Sequence, residues 1–238
     1  MKSFSEKVVV VMGAAGNLGE AVVQAFIEVD ARLIAVDRSS DRLPKIFPEI
    51  ANSPKHFLAT SVDSTDEIAV NALIGQIMAR FGGIDILINT VGGYRAGKPL
   101  HETPLETLEF LFNLNPRTTF IASQAVIPHM LAKGSGKIVN VAARPGLSGR
   151  KKMGAYSASK AAVIRLTESM AAELRDVGIN VNCVLPGTID TPQNREAMPK
   201  ADHSRWVKPE SLADVILFLS SDAARDVHGA AIPIYGKS

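Results

Sequence analysis

Val8-Val9-Val10-Val11-Met12 runs without interruption into Gly13-Ala14-Ala15-Gly16-Asn17-Leu18-Gly19, and the glycines open a stretch in which Leu18, Val22, Ala25, Phe26 and Val29 recur at helical spacing. A continuous run of β-branched residues suits a strand covered on both faces, the condition of a parallel sheet. Parallel neighbours cannot be joined by a hairpin, so each strand must be followed by a crossover segment, usually a helix. The alternation of apolar runs with helical-period segments continues along the chain, with strands predicted at residues 7–12, 32–36, 56–62, 84–88, 137–142, 179–185 and 230–235. The predicted fold class is α/β: one Rossmann-type doubly wound parallel sheet of about seven strands with helices on both faces.

At 238 residues and 46% hydrophobic side chains, the chain is long enough to bury the core of a single domain spanning residues 1–238. Twenty-six Lys and Arg against 24 Asp and Glu leave a net charge of +2, which disfavours nucleic acid and membrane partners and favours a small-molecule substrate. The single Cys183 excludes an internal disulfide and a thiolate metal site. His56, His101, His129, His203 and His228 show no ligand spacing, so no metal is expected. No apolar run approaches the roughly 18 residues that cross a bilayer, and a cytoplasmic location is expected. Lys2 and Lys7 ahead of the valine run imitate a secretory signal, but Glu6 interrupts the basic flank and the run continues directly into a glycine turn and helix.

Local signals place the boundaries. Ser64…Glu67 and Thr103…Glu106 read as capping boxes, with Pro104 at the first helical position. Asn115-Pro116 inside a helical pattern predicts a bend that frees a backbone carbonyl able to bind water. Pro233 makes the last strand an edge. Residues 188–207 lack clear periodicity and read as a substrate loop.

Strand, glycine turn and helix in succession form a dinucleotide cradle, in which small residues admit the pyrophosphate and helix amides point at it. Asn17 stands where a further glycine is common and tolerates left-handed backbone. Asp37 closes the second strand at the distance expected of a carboxylate that receives the adenosine ribose hydroxyls and repels a 2′-phosphate. NAD(H) is therefore preferred, with NADP(H) open through the neighbouring Arg38. Asp63 is placed either against the adenine amino group or as a helix-entry residue beside Ser64. Further along, Tyr156 and Lys160 lie four residues apart at the start of a helix and share a face. An ammonium beside a phenol lowers the phenol's pKa and suits it to acid–base work.

The Gly13…Gly16…Gly19 turn, Asp63, Asn89-Thr90-Val91-Gly92, Asn115, Tyr156…Lys160 and Pro186-Gly187 fall in the order and spacing of the short-chain dehydrogenase/reductase family, which the chain resembles over essentially its whole length. The resemblance implies nicotinamide hydride transfer with Tyr156 as proton donor or acceptor. It implies that Lys160 holds the nicotinamide ribose and that Asn115 anchors a water leading toward Lys160. It adds Ala15, Leu18, Asn89, Val91, Gly92, Pro186, Gly187, Ile189 and Thr191 to the dinucleotide's surroundings. It also implies a homodimer or homotetramer, with helices at 104–131 and 154–174 packing across a two-fold axis.

The chain departs from that family at one point. The serine normally thirteen residues before the tyrosine is Ala143, and a methyl cannot donate a hydrogen bond to a reacting oxygen. Substitute donors are Ser148 and Arg144. A narrower resemblance, to dihydropteridine reductases, covers residues 185–202, Trp206 and Gly92-Gly93-Tyr94; those enzymes also carry alanine at the serine position and use NADH. Tyr94 and Trp206 are then candidate stacking partners for a flat substrate. Alternative readings are a carbonyl or 3-oxoacyl reductase using a substitute donor, and a catalytically weak dinucleotide-binding redox sensor. Arg150-Lys151-Lys152 reads as a solvated loop able to attract an acidic substrate.

Overall fold

The computed structural model describes residues 4–237; Lys2 of the signal-like segment lies outside them. The strands are β1 (Val8–Met12), β2 (Arg32–Val36), β3 (Phe57–Ala59), β4 (Ile86–Asn89), β5 (Gly136–Val141), β6 (Ile179–Pro186) and β7 (Ala231–Ile234). They form one parallel sheet in the order β3-β2-β1-β4-β5-β6-β7, a doubly wound Rossmann-like sheet in which the strand order reverses between β1 and β4.

Both faces of the sheet are covered, which is why its strands read as unbroken apolar runs. On one face Val9, Val11, Leu33, Ala35 and Ile88 pack against helices α1 (Asn17–Glu28) and α8 (Pro209–Ser220). On the other, Val8, Val10, Met12, Ile34 and Leu87 meet α3 (Glu67–Phe81), α5 (Thr118–Lys133) and α6 (Gly154–Leu174). The central strand residues Val9, Val10 and Val11 are 0% exposed, each removing on the order of 1.5–3 kcal/mol of apolar surface from water.

Several boundaries differ from the sequence expectation. β3 is shorter than 56–62 because the chain turns at Ser61, in the left-handed region at φ +60°, and because the His56 ring accepts from the Leu33 amide at 3.2 Å in place of a strand carbonyl. Neither capping box forms. Asp66 caps α3, accepting from Ile68 and Ala69, and Thr103 turns its hydroxyl back to the Pro99 carbonyl. Pro104 is then the flanking residue of α4 (Leu105–Phe112). Proline has no amide to satisfy there, and its fixed φ leads the chain into the helix.

The Asn115-Pro116 bend takes the form of a wide π-type turn at Asn113–Arg117 that joins α4 to α5. β7 is an edge strand with Pro233 beside Leu185, as its proline requires. The segment 188–207 is not wholly irregular: it contains the short helix α7 (Pro192–Ala197), and Ile189 bridges to Val207. Among the described residues no helix is long and apolar enough to cross a membrane, and no cluster of His, Cys, Asp or Glu is arranged for a metal ion.

Candidate active site

The carboxyl ends of β1, β4, β5 and β6 carry the site. After Met12 the chain reverses as Gly13 and Ala14 both donate to the Val36 carbonyl at 2.9 Å. Gly13 has φ +79°, and a side chain there would press on Thr90 and the Val91 amide at 3.0 Å. Gly19 packs closer still: a Cβ would fall 2.2 Å from the Gly13 carbonyl oxygen. Thr90 braces the turn by donating to the Met12 carbonyl at 2.7 Å.

Gly16 precedes α1 without a side-chain cap, so the first amides of a 12-residue helix remain for a ligand. An uncapped helix N-terminus over a glycine floor is a good fit for a pyrophosphate, and the residues present fit a dinucleotide. Leu18 is buried in the core at 8% exposure, so only its backbone faces that site. The Ala15 carbonyl accepts from the Arg42 guanidinium, a contact the sequence reading missed because α2 (Arg42–Ile46) is too short to leave a periodic signal.

Asp37 follows β2 and accepts from the Ser39 amide at 2.9 Å, with Arg38 exposed beside it. Asp63 accepts from both the Thr65 amide and hydroxyl at 2.8 Å, which holds its carboxyl below the usual range and makes it an organiser of the turn before α3. Asn89 is placed inside the sheet. Its amide donates to Asn140 at 2.8 Å, while its Oδ1 is buried without a hydrogen-bond partner among the described residues.

Asn115, fully buried, ties three segments together. Its Oδ1 accepts from the Gly93 amide at 2.9 Å, and its Nδ2 donates to the Gly93 carbonyl at 3.1 Å and to Ser159 at 2.9 Å. Ser159 in turn donates to the Tyr156 carbonyl at 2.9 Å. The Asn115 carbonyl accepts from the Thr119 hydroxyl at 3.1 Å and the Thr118 hydroxyl at 3.3 Å. Gly92 fits between the two polar tips, since a Cβ there would lie 3.0 Å from Asn115 Oδ1 and 3.2 Å from Lys160 Nζ.

Tyr156 and Lys160 share a face of α6, but the expected acidification of the phenol is absent. Lys160 Nζ donates to the Val141 carbonyl at 2.9 Å, and burial lowers its pKa to about 8. Burial pushes Tyr156 up to about 12, with Tyr94 adding to the rise. Burial is the largest cause at both groups. The Tyr94 ring meets Tyr156 edge to face, 4.9 Å between centroids, so this candidate substrate aromatic does stand at the site.

The structure separates the other substrate candidates. Ala143 is buried at 5% exposure in extended backbone before a short 3₁₀ turn. Arg144 is turned onto Tyr235, 4.6 Å from its ring, and Ser148 is exposed. Trp206 packs on His203 at 4.4 Å, at the far end of the substrate loop. Gly187 donates to the Ile234 carbonyl at 2.9 Å, securing the exit of β6. Thr191 caps α7, and Asn194 reaches back to the Ile189 carbonyl at 2.8 Å. Asn17 donates to Gln193 at 2.9 Å and so joins the glycine turn to this loop.

The chain is similar to known proteins over nearly its whole length. The family profile described as short chain dehydrogenase matches residues 7–202. The 2-(R)-hydroxypropyl-CoM dehydrogenase of Xanthobacter autotrophicus is 34% identical, with 97% of each chain covered. The 3-oxoacyl-(acyl-carrier-protein) reductase of Thermotoga maritima is also 34% identical, covering 97% of this chain and 96% of that one. Among solved structures, an NAD+-bound xylitol dehydrogenase superposes with a TM-score of 0.89 at 27% identity over 99% of this chain and all of the other. The protein ElxO with NADP bound gives a TM-score of 0.89 at 27% identity, covering 97% of both chains.

Proposed function

This chain belongs to the short-chain dehydrogenase family, and from that premise we propose that it is an NADH-preferring reductase of conjugated, readily reduced acceptors, quinones and quinonoid pterins ahead of plain ketones. Its oxidoreductase class and its use of a nicotinamide dinucleotide come with the family. The observation that carries the finer reading is the buried methyl of Ala143 at the position of the missing donor, two residues beyond the Val141 carbonyl that holds Lys160. An acceptor whose oxygen or nitrogen already draws electrons needs less polarisation than a ketone, so one proton donor is sufficient.

The nicotinamide, when bound, supplies the hydride. Tyr156 supplies the proton. Burial pushes the phenol up to about 12, so it is protonated at neutral pH and carries the proton to be donated. Lys160, buried beneath Gly92, presents its ammonium where the nicotinamide ribose would lie. Asn115 holds Gly93 and α6 in register.

Gly13, Ala15, Gly16, Asn17, Leu18 and Gly19 would cradle the pyrophosphate, chiefly through backbone amides. Asp37 would receive the adenosine ribose and disfavour NADP(H), and Asp63, Val91, Gly92, Pro186, Gly187, Ile189 and Thr191 would complete the walls. Exposed Phe112 and Phe120 with Leu166 line a groove on α4, α5 and α6, which supports self-association through these helices; sedimentation tests it.

The decisive measurement is NADH oxidation against a panel of quinonoid pterins, quinones and ketones. Quinonoid acceptors are expected to turn over and simple ketones hardly at all. Ala143→Ser should raise ketone turnover by about tenfold or more while quinone turnover changes little. A parent enzyme that reduces ketones as well as quinones, and gains nothing from the serine, would reverse the reading.

A further inference from the structure

We infer that the substrate is a small anion, whose carboxylate, sulfonate or phosphate is received by a cationic rim around the mouth above Tyr156. This rests on the reductase reading and adds the substrate's charge to it. Two sequence stretches form the mouth: the loop after β4, which brings Tyr94 onto Tyr156, and the segment leading into α6. They are joined where the Gly97 amide donates to the Lys152 carbonyl at 2.9 Å. Lys152 takes a left-handed φ of +63° at that junction, a conformation that favours glycine.

The rim carries Arg95, Lys98, Arg150, Lys151 and Lys152, all exposed. Arg95 is fixed over the Phe110 ring at 3.5 Å. None of the five is in an ion pair among the described residues. The sequence explains why: there is no Asp or Glu between Asp85 and Glu102, and none between Glu109 and Glu168. Elsewhere Glu102 lies 3.4 Å from His101, and Asp190 is held by Arg195 at 2.6 Å.

A chain with a net charge of only +2 thus concentrates unpaired cations at the opening of its own active site. A one-signed cleft rim steers and retains ligands of the opposite sign, and the effect fades as salt screens it. The aromatic ring of Tyr94 beside the rim selects a flat body for the same ligand.

The test compares 1,2-naphthoquinone-4-sulfonate with 1,2-naphthoquinone as acceptors, NADH being the reductant. The ratio of their kcat/KM values is read at low and high salt, in the parent and in the Arg150→Gln/Lys151→Gln/Lys152→Gln variant. Intrinsic reactivity cancels in this comparison. The ratio should fall roughly tenfold with salt and by a similar factor in the variant. A second readout needs no turnover: calorimetric binding of 2-naphthalenesulfonate should weaken about tenfold in the variant. If both quinones are reduced with a ratio that neither salt nor the variant moves, the anionic substrate is refuted and the reductase stands. If neither is reduced while naphthalenesulfonate binding still depends on the rim, the reductase reading fails and the anion site survives.

Discussion

Between β1 and β4, side chains on Gly13, Gly19 and Gly92 would all come within 3.2 Å of neighbouring atoms, whereas across Tyr156 the loops bearing Tyr94, Ser148 and Lys151 lie open to solvent. A ligand over the first region would meet backbone, and the packing leaves little room for variation. A ligand over the second would meet side chains on loops, where charge and shape change without disturbing the sheet. Tyr156, half-buried against Tyr94, and Lys160, buried beneath Gly92, lie on the seam between them. On the proposed reading, a fixed dinucleotide cradle beside an adjustable substrate mouth accounts for relatives that carry names of such different substrates.

The contrast can be broken most severely at the seam. Tyr156→Phe should cut turnover about 10³-fold while NADH affinity, measured by fluorescence titration, stays within about twofold. A rate within tenfold of the parent removes the phenol from the proton path. On the cradle side, Gly19→Ala sets a methyl against the Gly13 carbonyl at 2.2 Å, backbone on backbone. NADH binding should weaken by about 100-fold, with a loss of 1–3 kcal/mol in stability. Gly149→Ala, where an added Cβ meets nothing within 4 Å, should leave both within error; equal effects would erase the distinction between the two regions.

The pH dependence of stability sharpens the comparison. Lys160 has its pKa lowered from 10.5 to about 8 in the folded chain, so between those values the unfolded state binds more protons and stability rises with pH. Relative to Lys160→Met, the parent should therefore gain about 2 kcal/mol in denaturant unfolding as pH goes from 8 to 10.5. A flat difference would mean that the ammonium is solvated. Tyr156 has the opposite sign: its raised pKa takes stability away as pH climbs from 10 to 12, but it is present in both proteins and drops out of the difference. The smallest effect is expected at Asp37→Ala, which should weaken NADH roughly tenfold and relax the bias against NADPH. An unchanged preference would transfer cofactor choice to Arg38 or Arg42.

The fold was largely legible because its signals are local. Val8–Met12 is apolar throughout since both faces are covered, Gly13 turns because only glycine sits easily at its φ, and Pro233 marks an edge because it cannot donate to a ladder. Local reasoning failed where partners are distant or compete. Ser64 and Thr103 have the spacing of caps, but Asp66 and Pro104 take those positions. Trp206 is aromatic and in the right loop, yet His203 engages it.

The sequence by itself determined the parallel sheet, the glycine cradle and which residues could perform proton chemistry, because apolar period, turn residues and the four-residue spacing of Tyr156 and Lys160 act within a few positions of one another. Only the tertiary structure decided that Lys160 anchors on Val141, that Asn115 clamps Gly93 to α6, and that Tyr94 meets Tyr156 edge to face. Those outcomes depend on burial and on contacts between segments far apart in the chain. Desolvation and distance, which set their energies, exist only once the crossovers have folded the strands side by side.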